Sequence, residues 1–426
     1  MSQSIIIKNI SVVDEKLNID DRYDIYISDG IIKKVGIAPE DSTAVVIDGT
    51  GLTAFPSFFD MHVHFRDPGF THKEDIITGA SAAAAGGVTG VLCMPNTNPP
   101  VDNEEIIRYI SEKAKQTGID VYQTACITSG MNGQELADFK MYKSLGIRAV
   151  SDDGKPVSNA GLMRQALINA ENEDLLLTSH CEDMDIIGKG IINNGAVSAK
   201  LKVEGMDRSS EDSITAREIA LAGAAGVKVH IAHVSTEGSI GFIRDAKKRG
   251  LKVTCETCPH YFIYTDEKLE MRDADYRMNP PLREKRDVEA ITEAVVDGTI
   301  DCIVTDHAPH AENEKADFEK APNGVVGLET SFAASLTYLY HTGKISLLKL
   351  SELMSVNPRK LLGLEPVYIR EGSQADICIA DINKEWIVEP GKLHSKSHNT
   401  VFKGEKFKGK PVITISKGKI IYSEKN

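Results

Sequence analysis

Between Ala54 and His310 the chain repeats one pattern eight times: an apolar run of strand length, a polar or glycine-marked break, and in most intervals a stretch with helical spacing. The strand-like runs are AFPSFFDMHVHF, GVTGVLCMPN, DVYQTACIT, GIRAVSDDG, LLLTSHCED, KVHIAHVS, KVTCETCPH and IDCIVTDHAPH. Between them lie EEIIRYISEKAKQ, NAGLMRQALINAENE, SSEDSITAREIALAGAAG and GSIGFIRDAKKRG, which carry helical periodicity. A helix after each strand returns the chain to the starting end of the sheet, so consecutive strands lie parallel. Eight such units predict an α/β fold, a (β/α)8 barrel of TIM type.

The two ends differ from this middle. SIIIKNISVVD, DIYISDGIIKKVG and AVVIDGTG at the start, and ADICIADINKEWIVE, NTVFKGEKFKGKPV and ITISKGKIIYSEK at the finish, are short β runs separated by Asp-Gly and Gly turns. Chain termini tend to lie close together at a domain surface. The expected organisation is therefore residues 1–55 and 366–426 combining into one small β-sandwich domain, with residues 56–365 as the catalytic barrel. A length of 426 residues suits that division, and no short-period repeat suggests a solenoid.

Composition removes several function classes. No apolar run approaches the roughly 20 residues that span a bilayer. A net charge of −13 opposes sequence-independent nucleic-acid binding, which needs clustered Lys and Arg. The N-terminus lacks a basic segment followed by an apolar stretch and cleavage site, so the cytoplasm is the expected location. Seven cysteines, an odd number in a chain of this length, fit reduced thiols. Cys255 and Cys258, in CETC, have no second ligand pair and read as thiols near a strand end.

In a barrel of this kind the functional groups gather at the C-terminal ends of the strands. His62 and His64 follow the first run; on an extended segment a two-residue spacing points both imidazoles the same way. That pair alone is a weak signal. Asp153 after the fourth run, His180 after the fifth, His233 after the sixth and Asp306 after the eighth complete a set of four histidines and two carboxylates. This is a nitrogen and oxygen shell suited to zinc or a similar divalent ion. His230, three residues from His233, is out of step on a period-two strand and is expected to face the helices. His260 and His307 are candidates for orienting a ligand from behind. His72, His341, His394 and His398 have no partners at telling spacing.

Taken together, HVHFRDPG, MPNTNP, SDDG, MNPPLR, DHAPH and GLET resemble the bacterial class I dihydroorotases of the amidohydrolase superfamily, and the likeness runs over nearly the whole chain. It implies a centre of two zinc ions per subunit: His62, His64 and Asp306 on one, His180 and His233 on the other, Asp153 and a hydroxide bridging them. Many relatives bridge through a carboxylated lysine, but GIRAVSDDG has none, and Asp153 resembles the aspartate bridge of class I members. Asp152 is the alternative.

The implied reaction is reversible hydrolysis of the cyclic amide of dihydroorotate to carbamoyl-aspartate, a step of pyrimidine biosynthesis, with Asp306 as general acid and base. Arg66, Asn96 and His310 would surround the substrate carboxylate, Asn279 would meet the ring edge, and residues 311–327 would form a mobile lid. Two rivals stand beside this reading. One is a cyclic amidase acting on hydantoins, dihydropyrimidines or allantoin. The other is a non-catalytic scaffold for aspartate transcarbamoylase. A homodimer, and association of an active enzyme with that transcarbamoylase, are open assembly states.

Overall fold

The structure, a computed structural model, describes residues 4–424. Its centre is a sheet of eight strands in sequential order: Phe58–Val63, Val88–Cys93, Asp120–Ala125, Ala149–Val150, Leu176–Ser179, Val229–Ile231, Val253–Thr257 and Cys302–Ile303. All neighbouring pairs are parallel. The sheet closes on itself where Val63 bridges His307 in parallel and the His64 amide donates to the His307 carbonyl at 2.8 Å. The expected (β/α)8 barrel is therefore present. Its fourth and eighth strands are only two residues long, because there the chain soon leaves the ladder to carry Asp153 and Asp306 to the rim.

The outer helices form where the sequence supplies both a cap and an apolar stripe. Asn103 accepts from the Ile106 amide and starts helix Glu104–Ala114, which buries Ile106, Ile107 and Ile110 against the barrel. Each such side chain contributes about 1.5–3 kcal/mol on burial. Helix Ile76–Ala85 is capped by Asp75 and made almost wholly of small residues, since it lies against the barrel and the terminal sheet at once. Among the described residues no helix is long and apolar enough to cross a membrane.

The terminal segments form a second eight-stranded sheet. Strand Ile5–Val12 pairs with Tyr23–Ser28, Val45–Asp48 and Thr53–Pro56 from its own end, and Thr53–Pro56 pairs antiparallel with Ile377–Ile387 from the other. Lys406–Ser416 and Lys419–Ser423 complete that edge. This sheet has its own core of Ile5, Ile7, Ile10, Ile25, Ile27 and neighbours, apart from the barrel core. The Thr414 hydroxyl donates to the Ala84 carbonyl at 2.7 Å, tying the sheet to a barrel helix.

Candidate metal centre

His62 is the next-to-last residue of the first strand and His64 lies just beyond its end. Both are buried. Nε2 of His62 lies 3.5 Å from Asp153 Oδ1 and 3.7 Å from Asp306 Oδ1; Nε2 of His64 lies 3.5 Å from Asp153 Oδ2 and 3.0 Å from Asp306 Oδ1. His180 and His233 converge on the same carboxylate, with Nδ1 and Nε2 each 3.5 Å from Asp153 Oδ1 and 2.9 Å from each other. Asp153 thus belongs to two donor groups, one with His62 and His64, the other with His180 and His233.

The electrostatics of this cluster are those of charges confined without water. Burial opposes ionisation of Asp306, but the His64 bond and the neighbouring imidazoles bring its pKa down to about 2. Burial likewise opposes ionisation of Asp153, and contacts with His180, His233 and His62 hold it well below the usual carboxylate range. His180 is raised to about 10 against its own burial by Asp153 and Glu182. His62 Nε2 and Asp153 Oδ1 are nevertheless buried without a hydrogen-bond partner. Such atoms are costly unless something satisfies them. Imidazole nitrogens and carboxylate oxygens aimed at shared points fit divalent cations, which replace protons on the same atoms.

Behind the donors stand groups that the sequence reading missed. Glu256, in the seventh strand, receives His62 Nδ1 at 2.6 Å, and Glu182 lies 3.2 Å from His180 Nε2. Asn96, already a substrate-binding candidate in the sequence reading, also accepts from His64 Nδ1 through Oδ1 at 2.8 Å. The available signal for Glu256 was a charged residue inside an otherwise apolar strand run. His230 requires a correction: it does not face the helices but points inward, with Nε2 3.2 Å from Glu256 Oε2. The strand ends at Ile231 and His233 has φ +29°, so the period-two count fails before it reaches His233. Asp306 (φ +49°) and Arg66 (φ +58°) share that left-handed backbone, uncommon away from glycine and typical of functional sites.

Asp152 turns away from the cluster. Its Oδ1 accepts from the Ile127 and Thr128 amides at 2.7 and 3.2 Å, leaving Asp153 as the residue that meets the histidines. His307 ends the barrel closure and presents Nδ1 to the Gly327 amide, while His260 is fully enclosed with Nε2 unpartnered. His341 and His394 bond Ile382 and Glu329 instead. All seven cysteines are free and buried, and burial pushes the Cys255 and Cys258 thiols up, as expected for inert thiols.

At the mouth, the Arg66 Nε donates to the Pro309 carbonyl at 3.3 Å and its guanidinium lies 3.4 Å from His310 Nε2. Burial pulls the Arg66 pKa down to about 10, which leaves it charged at neutral pH, yet among the described residues no carboxylate pairs with it. Burial, Arg66 and Lys73 push His310 down to about 2, so its imidazole is neutral. It accepts from Lys73 at Nδ1 (3.2 Å) and meets the Asn323 carbonyl at Nε2 (2.9 Å). Asn279 faces Glu182. The 311–327 segment lies beside these groups: Glu314 pairs with Lys73 at 3.1 Å, and Lys315 donates to the carbonyls of Arg277, Pro322 and Gly324. Gly324 (φ +144°) has no room for a side chain, since a Cβ would stand 2.6 Å from the Ala308 carbonyl oxygen.

A family model described as dihydro-orotase-like matches residues 51–239. A dihydroorotase of Citrifermentans bemidjiense is 48% identical over 424 residues, covering 98% of this chain and 99% of that protein. The chain belongs to the dihydroorotase family. A second dihydroorotase, from Acetivibrio thermocellus, is 45% identical over 422 residues, with 99% of both chains covered. Among solved structures, a D-hydantoinase superposes on this dihydroorotase-family chain with a TM-score of 0.87 at 26% identity, covering 100% of this chain and 96% of the other. A dihydropyrimidinase from Brevibacillus agri gives the same TM-score at 24% identity and the same coverage, which establishes the shared fold.

Proposed function

We propose that this chain is a dihydroorotase, hydrolysing the cyclic amide of dihydroorotate to carbamoyl-aspartate and catalysing the reverse ring closure, with two zinc ions per subunit. The observation that carries the substrate is Arg66: a partly buried guanidinium at the mouth of the donor cluster with no carboxylate in ion-pair contact among the described residues. Such a group calls for an anionic ligand, and a carboxylate matches its planar fork. Near full-length identity to proteins named dihydroorotase supports the same substrate.

His62, His64 and Asp306 would hold one ion, His180 and His233 the other, and Asp153 both. Bound there, the ions would supply a lowered pKa for water and polarisation of the ring carbonyl. The remaining work falls to the side chains. Asp306 is ionised and 3.0 Å from His64 Nε2, so its carboxylate is placed to take a proton from water and return it to the ring nitrogen as the amide C–N bond breaks. Arg66 would bind the substrate carboxylate beside neutral His310 and Asn96, and Asn279 would meet the polar edge of the ring. Residues 1–55 and 366–426 are assigned to the accessory domain and 56–365 to the catalytic one.

The deciding experiment is zinc-supplemented turnover of dihydroorotate with dihydrouracil, hydantoin and allantoin in parallel. Preference for dihydroorotate is the expected result; preference for a ring without a carboxylate overturns the substrate, and no turnover of any overturns the activity. Sedimentation with and without an aspartate transcarbamoylase tests the homodimer and that association.

A further inference from the structure

We propose that Glu256 is the positioning residue of the metal centre, a single buried carboxylate that fixes the ring of His62 and the backbone of His233 in one frame. The inference rests on the metal-centre reading above. Glu256 leaves the seventh strand and points into the barrel, where it is fully buried. Its Oε1 takes His62 Nδ1 at 2.6 Å and is also 3.4 Å from the His233 amide, which donates to it. One oxygen therefore couples a donor from the first strand with a donor from the sixth.

The second oxygen makes the arrangement unambiguous. Oε2 meets His230 Nε2 at 3.2 Å, and His230 Nδ1 meets the Thr254 hydroxyl at 2.8 Å. A carboxylate only accepts, so both histidines present N–H to it. In the neutral imidazole His230 then accepts at Nδ1 from the Thr254 hydroxyl. With the proton fixed on Nδ1, Nε2, the atom directed at Asp153 and Asp306, is the nitrogen of His62 that a cation would take. His230, which holds no donor position in the cluster, acquires a purpose: it occupies the other oxygen and keeps Glu256 from rotating.

A carboxamide cannot reproduce this pattern. In Glu256→Gln the amide must either turn its NH2 toward His62 Nδ1, moving the imidazole proton to Nε2, or turn it against the N–H of His230. The first arrangement displaces the His62 donor directly; the second keeps an oxygen on His62 but replaces the carboxylate by a neutral, weaker acceptor and turns over the His230–Thr254 bond, so in both the hold on the His62 ring is weakened while the substrate-facing residues stay in place.

The test is zinc affinity by chelator competition on the full-length protein, wild type against Glu256→Gln, with the visible spectrum of the cobalt-loaded forms as the coordination signature. The expected result is a 10- to 100-fold loss of affinity for the tighter ion, shifted cobalt bands, and a KM for dihydroorotate within about twofold of wild type. If Glu256→Gln does not fold, Glu256→Asp, which keeps the charge but shortens the reach, is expected to lose roughly tenfold in affinity by the same loss of His62 orientation. Tight wild-type binding with unchanged affinity and spectrum in the variant overturns the positioning role alone. Wild-type protein that takes up no zinc overturns the metal centre and this role with it.

Discussion

Replacing Arg66 by Gln keeps most of the side-chain length and removes the charge, so it isolates the recognition of a substrate carboxylate. The wild-type guanidinium is partly buried, held by the Pro309 carbonyl, and has no ion-pair partner among the described residues. A carboxylate arriving there gains charge-assisted hydrogen bonds worth about 1.5–3 kcal/mol each. Two such bonds at the low end give about 3 kcal/mol, or roughly 150-fold in kcat/KM at 25 °C. The assay is kcat/KM for dihydroorotate and for dihydrouracil, which lacks the carboxylate, on zinc-loaded wild type and variant. The expected outcome is a loss of about 10²-fold on the first substrate and less than about threefold on the second. An equal loss on both would show that Arg66 supports the site structurally, and the carboxylate clamp would be wrong.

Asp306→Asn is expected to lower kcat by at least about 10³-fold at saturating zinc with little change in KM, because it removes both a proton carrier and a donor oxygen; kcat near wild type would exclude Asp306 from proton transfer. Chelation of the metals should lower the melting temperature by several degrees, reversibly, since a cation at 100 times its Kd contributes about 2.7 kcal/mol per site; an unchanged melting curve would contradict the donor-set reading. Asp152 is raised to about 6 by burial, against the opposing bonds from Thr128 and Ile127. A folded pKa above the unfolded value of 3.8 means that the group favours folding most below pH 3.8 and loses that contribution as pH rises toward 6. The stability of wild type relative to Asp152→Asn should therefore fall by up to about 3 kcal/mol over this interval, measured by urea unfolding at several pH values. A flat difference would refute the assignment, and metal content in this variant should equal that of the wild type.

Much of the site is legible in the sequence because barrel topology converts position along the chain into position in space. A polar residue just past a barrel strand lies at the same rim as every other such residue, so spacing and chemistry are enough to group His62, His64, Asp153, His180, His233 and Asp306. Where that reasoning fails, a local detail intervenes. The period-two argument for His230 assumes an extended chain through His233, but the strand stops at Ile231 and the backbone turns left-handed. Asp152 and Asp153 are adjacent and chemically identical; only the amides of Ile127 and Thr128 decide which carboxylate turns away.

The alternating pattern and terminal β runs of the sequence thus determined a barrel with an accessory sheet, and the residue types at the strand ends determined a rim of nitrogen and oxygen donors that could hold a metal. Tertiary structure alone decided what stands behind that rim. Glu256 meets His62 from 194 residues away across the barrel, and Asn96 meets His64 because the second strand runs beside the first and delivers its following loop to the same rim. Periodicity reports which face a side chain takes on its own element, whereas the partner across a closed sheet depends on the stagger of strands far apart in the chain, which no local pattern encodes.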